Sequence, residues 1–203
     1  VGFVSDRGFD ILFFGYMPNG AGLSSSASIA LAMSVVLKGL YNLDVDMIKM
    51  VKLSQKAENS FIGVNCGIMD QFAIGMGKKD SAILLDCNTL KYDYAPVVLK
   101  DAAIVIGNTN KRRGLADSKY NERRGECERA LSQLKEKLNI TSLGNLSIAE
   151  FEINKEIITN EIDRKRAKHA VYENQRTLEA VEKLGQGDIE AFGKLMNQSH
   201  ISL

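Results

Sequence analysis

Cysteine is scarce in this chain of 203 residues, and the three it has, Cys66, Cys87 and Cys127, are odd in number and share no C-x-x-C spacing. Neither a disulfide framework nor a thiolate zinc site has a basis in such a pattern, and a reducing, cytosolic setting is the expectation. Histidine is scarcer still. His169 and His200 have no acidic or cysteine neighbour at ligand spacing, which leaves them surface or capping roles, and no Ser/His/Asp arrangement supports a hydrolytic nucleophile. Long apolar runs are missing too: the most apolar stretch, Ala27 to Leu37, falls short of the roughly 20 residues that a bilayer-spanning helix needs. The residues ahead of it do not have the pattern of a signal peptide. Charge of one sign is not in surplus either. Lys and Arg number 26 against 25 Asp and Glu, a net of +1, so neither nucleic acid nor a membrane is an expected partner. The stretch Lys111 to Lys137 carries nine basic and five acidic residues, and its alternating signs read as a solvated helix face. No internal repeat or low-complexity tract is present.

What is there is ordinary for a soluble globular chain, 45% hydrophobic and 25% charged, enough for one large domain or two small ones. The informative stretch is Pro18-Asn19-Gly20-Ala21-Gly22-Leu23-Ser24-Ser25-Ser26-Ala27-Ser28. Phe9 to Tyr16, rich in strand formers, is expected to feed into it as a strand. Two glycines then let the backbone take positive φ and approach a ligand with no Cβ in the way. Three serines stand where the next helix has unpaired N–H groups and a partial positive charge, which suits an anion, a triphosphate best of all. Ordinary turn and capping chemistry uses the same residues. The lysine of a Walker A sequence is missing after Gly22, which disfavours a P-loop NTPase.

The helix expected from Ser26 to about Leu40 is apolar on nearly all sides, as if buried between layers. A second is expected from about Asp44 to Phe61. At 100° per residue Met47, Val51, Phe61 and Ile62 share one side and Lys49, Lys52 and Lys56 the other, with Glu58 in the middle of the apolar side. A carboxylate there is costly to desolvate unless a cation or hydrogen-bond donors meet it; the alternative is a helix that ends early and lets Glu58 reach water. Asp70 repeats the oddity within Asn65-Cys66-Gly67-Ile68-Met69-Asp70-Gln71-Phe72. It is either a helix N-cap or a partly buried acid able to accept a hydroxyl proton in phosphoryl transfer.

From Lys78 onward the texture changes. Ser81 to Cys87 and Leu90 to Val98 read as strands joined by an Asn88-Thr89 turn, and Ala102 to Ile106 as a third. Helices are expected over 118–138, 148–154, 164–184 and 188–196, with Gly185-Gln186-Gly187 as a helix stop. The fold class is α+β with two parts, residues 1–80 holding strand, Gly/Ser loop and helix, and residues 81–203 holding antiparallel strands and helices.

The loop motif Pro18 to Ser28 resembles the ATP-binding motif of the GHMP kinases. Gln55 to Phe61 together with Gly63-Val64-Asn65-Cys66-Gly67-Ile68-Met69-Asp70-Gln71-Phe72 is similar specifically to the galactokinase family, and the likeness continues through Asn108-Thr109-Asn110, Ser118-Lys119-Tyr120, Arg123-Arg124 and Phe192 to Met196 with Ser199-His200. The resemblance implies a two-domain GHMP-kinase fold, present here in part. It implies transfer of the γ-phosphoryl of ATP to the C1 hydroxyl of galactose, by a cytoplasmic monomer or weak oligomer. Gly20, Ala21, Gly22, Leu23, Ser24, Ser25 and Ser26 would hold the phosphates, Ser26 and Glu58 a Mg²⁺ ion, and Asp70 would be the catalytic base. Gly67 and Tyr120, with Asp70, would contact the sugar.

Two motifs of that family have no counterpart in this sequence: an N-terminal arginine with a Gly-Glu-His segment, and a C-terminal glycine-rich loop. The chain is therefore expected to be truncated at both ends, and inactive by itself. The alternatives are a kinase for another sugar, such as N-acetylgalactosamine, and a non-catalytic sensor of galactose and ATP.

Overall fold

The structure, a computed structural model, describes residues 7–18, 21–108 and 119–203. These divide into two compact units, one formed by the described residues of Val1–Gly77 and Val105–Ala116, the other by those of Lys78–Ile104 and Asp117–Leu203.

The first unit is built on three α-helices: α1 (Ser25–Leu40), α2 (Met47–Ala57) and α3 (Met69–Met76). Asp46 starts α2 by accepting the Lys49 N–H at 2.7 Å, the usual work of an N-cap aspartate. The helices pack on one another pairwise, closing over Ala27, Leu31, Met50, Val51 and Phe72. Gly75 brings α3 close to α2, since a Cβ at that position would stand 2.8 Å from Val51 Cγ2. The expectation that α1 is buried all round is corrected. Only Ala27 and Leu31 are buried, while Ile29, Val35 and Val36 face outward. Two helices can cover one face of a third but not its circumference.

The strand expected from Phe9 to Tyr16 is not formed either. The segment is extended and irregular, with Leu12 92% and Phe14 82% exposed. The same correction applies to Ala102 to Ile106, where Val105 is 88% exposed. Strand-forming side chains do not make a strand unless another backbone pairs with theirs, and no described residue pairs with either segment.

In the second unit the expected hairpin is present, with β1 (Ser81–Leu85) antiparallel to β2 (Tyr92–Pro96) and Leu85 opposite Tyr92. Asp86 holds its turn, accepting the Asn88 N–H at 2.9 Å and the Thr89 hydroxyl at 2.7 Å. Four helices follow: α4 (Tyr120–Lys135), α5 (Ile148–Asn154), α6 (Glu161–Gly185) and α7 (Ile189–Ser202). They enclose a core that includes Leu134, Phe151, Ile158 and Val171. Asn160 caps α6, and the buried Asp163 in its first turn accepts two hydrogen bonds from Arg129 of α4, at 2.9 and 2.7 Å. The expected stop is in place, with Gly187 at φ +72°. Helices with one antiparallel hairpin among the described residues make the fold α+β.

Candidate active site

The turn into α1 is made by two left-handed residues, Gly22 at φ +73° and Ser24 at φ +56°. For glycine this costs nothing, whereas for serine it is a sparsely populated conformation of the kind that clusters at ligand sites. Ser24 precedes the helix without giving it a side-chain hydrogen bond. The first-turn N–H groups of α1 are thus not capped by the residue best placed to do so. Ala21, Leu23 and Ser25 are half-buried, and Gly22 and Ser26 exposed. Gly20 and its neighbour Asn19 lie outside the described residues.

Glu58 stands where α2 ends. The helix widens there into a π-helical turn, Glu58–Ile62, closed by Gly63 at φ +84° and by the Gly63 N–H donating to Glu58 O at 3.1 Å. This corrects the expected continuation of the helix to Phe61. A wider turn breaks the 100° stepping, so Phe61 is 89% exposed and Glu58 is half-buried beside it, not in the middle of an apolar face. Its two oxygens are separately engaged. Ser26 Oγ donates to Oε1 at 3.0 Å, and Gln71 Nε2 donates to Oε2 at 2.8 Å. No Lys or Arg among the described residues forms an ion pair with it.

Asp70 is the second residue of α3, whose N-cap is Ile68, so it is not a cap. It is also exposed, which corrects the expectation of partial burial: α3 turns Gln71 and Phe72 inward, and the residue just before them points away from that face. Gln71 therefore links the two acids, following Asp70 in sequence and bonding Glu58 in space.

Beside them sits Cys66, whose Sγ donates to Asn59 Oδ1 at 3.1 Å and whose carbonyl accepts from Gln55 Nε2 at 3.2 Å. Burial pushes its thiol up, the Glu58 charge adds to this, and Asp70 adds a smaller amount. Both carboxylates therefore act on one sulfur. Gly67 is exposed in the loop ahead of α3, and Tyr120, half exposed, belongs to the second unit, where it opens α4.

Gln71 is the site residue that sequence reasoning passed over. The signal was present, since Glu58 needed a donor and an amide side chain stood next to the second acid. Among the described residues no group of three His, Cys, Asp or Glu side chains is placed to hold a metal. The donors that do come together are a hydroxyl and a carboxylate. That oxygen pair fits a hard cation such as Mg²⁺, which takes one or two protein ligands and completes its shell with water and phosphate.

Residues 2–78, which carry this geometry, match the family described as GHMP kinases N terminal domain. That stretch of the chain resembles the GHMP kinases. Within that class its relatives are galactokinases: it is 62% identical to that of Clostridium acetobutylicum over 198 residues, covering 98% of this chain and 51% of that protein. It is 65% identical to that of Fusobacterium nucleatum over 199 residues, covering 98% and 51%. The crystal structure of Lactococcus lactis galactokinase complexed with galactose superimposes with a TM-score of 0.89 at 53% identity, covering 93% of this chain and 49% of that one. The chain thus spans about half the length of the curated relatives it matches.

Proposed function

We propose that the full-length protein carrying this chain is a galactokinase, transferring the γ-phosphoryl of ATP to the C1 hydroxyl of α-D-galactose to give galactose 1-phosphate and ADP. The observation that carries the reading is the contact between Ser26 Oγ and Glu58 Oε1. It sets two oxygen ligands side by side at the start of α1, where anions are favoured. The relatives' names support the substrate assignment, as does the galactose bound to the structural neighbour.

In this reading the loop from Gly20 to Ser26 donates backbone N–H groups to the phosphates, and Ser26 and Glu58 hold Mg²⁺. The ion, when bound, neutralises charge on the phosphate oxygens. Asp70 accepts the proton of the sugar hydroxyl as general base; its exposure in this chain leaves it open to a substrate. Gly67 and Tyr120 place the sugar in line with the γ-phosphorus. The chain's unpaired cysteines fit a cytoplasmic setting, and the protein acts as a monomer or weak oligomer.

This 203-residue stretch by itself is proposed to be inactive. It has no residue that matches the family's arginine, which would stabilise both the ionised aspartate and the transferring phosphoryl group.

Comparing phosphorylation of galactose with that of its 2-acetamido analogue by the full-length protein tests the substrate. Galactose is expected to be the better substrate by kcat/KM; preference for the analogue, or turnover of neither, overturns the reading.

A further inference from the structure

The mechanism just proposed leaves one buried polar side chain without a task. Gln71 is 1% exposed, and its Oε1 has no hydrogen-bond partner among the described residues. An orphaned buried carbonyl is unfavourable, and a leucine or methionine would fill a similar space without one. Its other end is well used. Nε2 donates to Glu58 Oε2 at 2.8 Å and lies 3.7 Å from Cys66 Sγ. The orientation of the amide is fixed by chemistry, because an ionised carboxylate only accepts, and turning the amide over would set oxygen against oxygen. The side chain thus carries an orphaned acceptor in order to bring a donor to one particular oxygen.

We propose that Gln71 is the positioning residue for the Glu58 carboxylate: by engaging Oε2 it leaves only Oε1, on the Ser26 side, to face a cation, and so fixes a one-oxygen ligand suited to Mg²⁺ over Ca²⁺. The inference rests on the reading of Ser26 and Glu58 as metal ligands. The selectivity follows from coordination chemistry. Mg²⁺ demands near-octahedral geometry and few protein ligands, whereas Ca²⁺ accepts six to eight oxygens and readily takes a carboxylate through both. With Oε2 released, the carboxylate is free to rotate and to offer both oxygens, which weakens the Mg²⁺ site and favours Ca²⁺. Groups that orient metal ligands in this way typically change affinity by about 10–100-fold when removed.

The test uses the full-length protein and binding of a non-hydrolysable ATP analogue by calorimetry in EDTA, in Mg²⁺ and in Ca²⁺. Gln71→Met keeps the side-chain length and loses the donor, while Gln71→Asn keeps the amide and loses its reach. If one variant fails to fold, the other still reports. In each, affinity in EDTA is expected to stay within about twofold, the gain brought by Mg²⁺ to fall by about 10–100-fold, and the Mg²⁺/Ca²⁺ ratio to fall with it. A merely structural role for Gln71 leaves that ratio where it was. Glu58→Gln separates the two levels of the argument. If it keeps the Mg²⁺-dependent gain, the metal reading fails and this proposal with it. If it loses the gain while both Gln71 variants keep theirs, the proposal alone is overturned.

Discussion

Ser26 and Glu58 lie 32 positions apart in sequence, and their side chains meet at 3.0 Å. The contact ties the first turn of α1 to the end of α2 and sets a carboxylate that has no ion pair among the described residues beside an exposed hydroxyl. It continues a line of contacts from Ser26 through Glu58 to Gln71, the residue that follows Asp70 on α3.

Two side chains that serve one ligand should not contribute independently. Ser26→Ala and Glu58→Gln in the full-length protein are each expected to lower kcat/KM, and the double variant to lose less than the sum of the two. The expected coupling is about 0.5–3 kcal/mol of transition-state free energy, the range for residues in one network. Steady-state kinetics of the four proteins, with stability checked by denaturant titration, measures it. Strict additivity would mean that the contact has no functional meaning.

Cys66 reports on the charge of the site. Burial first, and the Glu58 carboxylate second, hold its thiol above the ordinary value. A raised thiol pKa means less thiolate at a given pH, so alkylation by iodoacetamide should rise with pH around a midpoint above the roughly 8.5 of a free cysteine. Glu58→Gln removes the second cause and should move the midpoint down, while burial keeps it above the free value. Peptide mapping by mass spectrometry across pH 7 to 10 follows Cys66 separately from Cys87 and Cys127. A midpoint at or below that of a free thiol would contradict the geometry.

The spacing of α2 and α3 depends on Gly75. Gly75→Ala adds a Cβ that would stand 2.8 Å from Val51 Cγ2 and 3.2 Å from Met47 Sδ. Overpacking of this kind costs about 1–3 kcal/mol, against about 1 kcal/mol gained in helix propensity. A net loss of about 1 kcal/mol is therefore expected. Because α3 carries both Asp70 and Gln71, a fall in kcat should accompany it. A variant more stable than the parent in urea denaturation would show that the helices have room to part.

The parts of this fold that could be read from the sequence are those set by local pattern. The long helices α1, α4 and α6 announce themselves by apolar periodicity or length, α6 ends at the glycine pair it should, and the turn between β1 and β2 has the residues such a turn needs. The eight-residue α3, short and glycine-containing, was legible only through one of the two readings of Asp70, that of a helix N-cap. Phe9 to Tyr16 and Ala102 to Ile106 misled because strand composition is local, whereas pairing depends on another backbone. The π-helical turn at Glu58 escaped for a related reason. Nothing in Glu58-Asn59-Ser60-Phe61-Ile62 specifies a widened turn by itself, and the hydrogen bonds to that carboxylate come from α1 and α3. Glu58 drew attention as a carboxylate expected on an apolar face, a placement that the π-helical turn removes, and Ser26 is a metal candidate only through the resemblance to the GHMP kinases. Gln71, the donor that meets Glu58, was visible as a letter but not as a partner.

The central claim is that Asp70 on α3 takes the hydroxyl proton while Ser26 and Glu58 hold the nucleotide's cation. Asp70→Asn in the full-length protein tests it most directly, by kcat for galactose phosphorylation and by MgATP affinity measured in parallel. The account predicts a loss in kcat of about 10²–10⁴-fold, the usual contribution of a general base, with MgATP affinity within about threefold of the parent. Turnover at the parent's rate with intact nucleotide binding would contradict it.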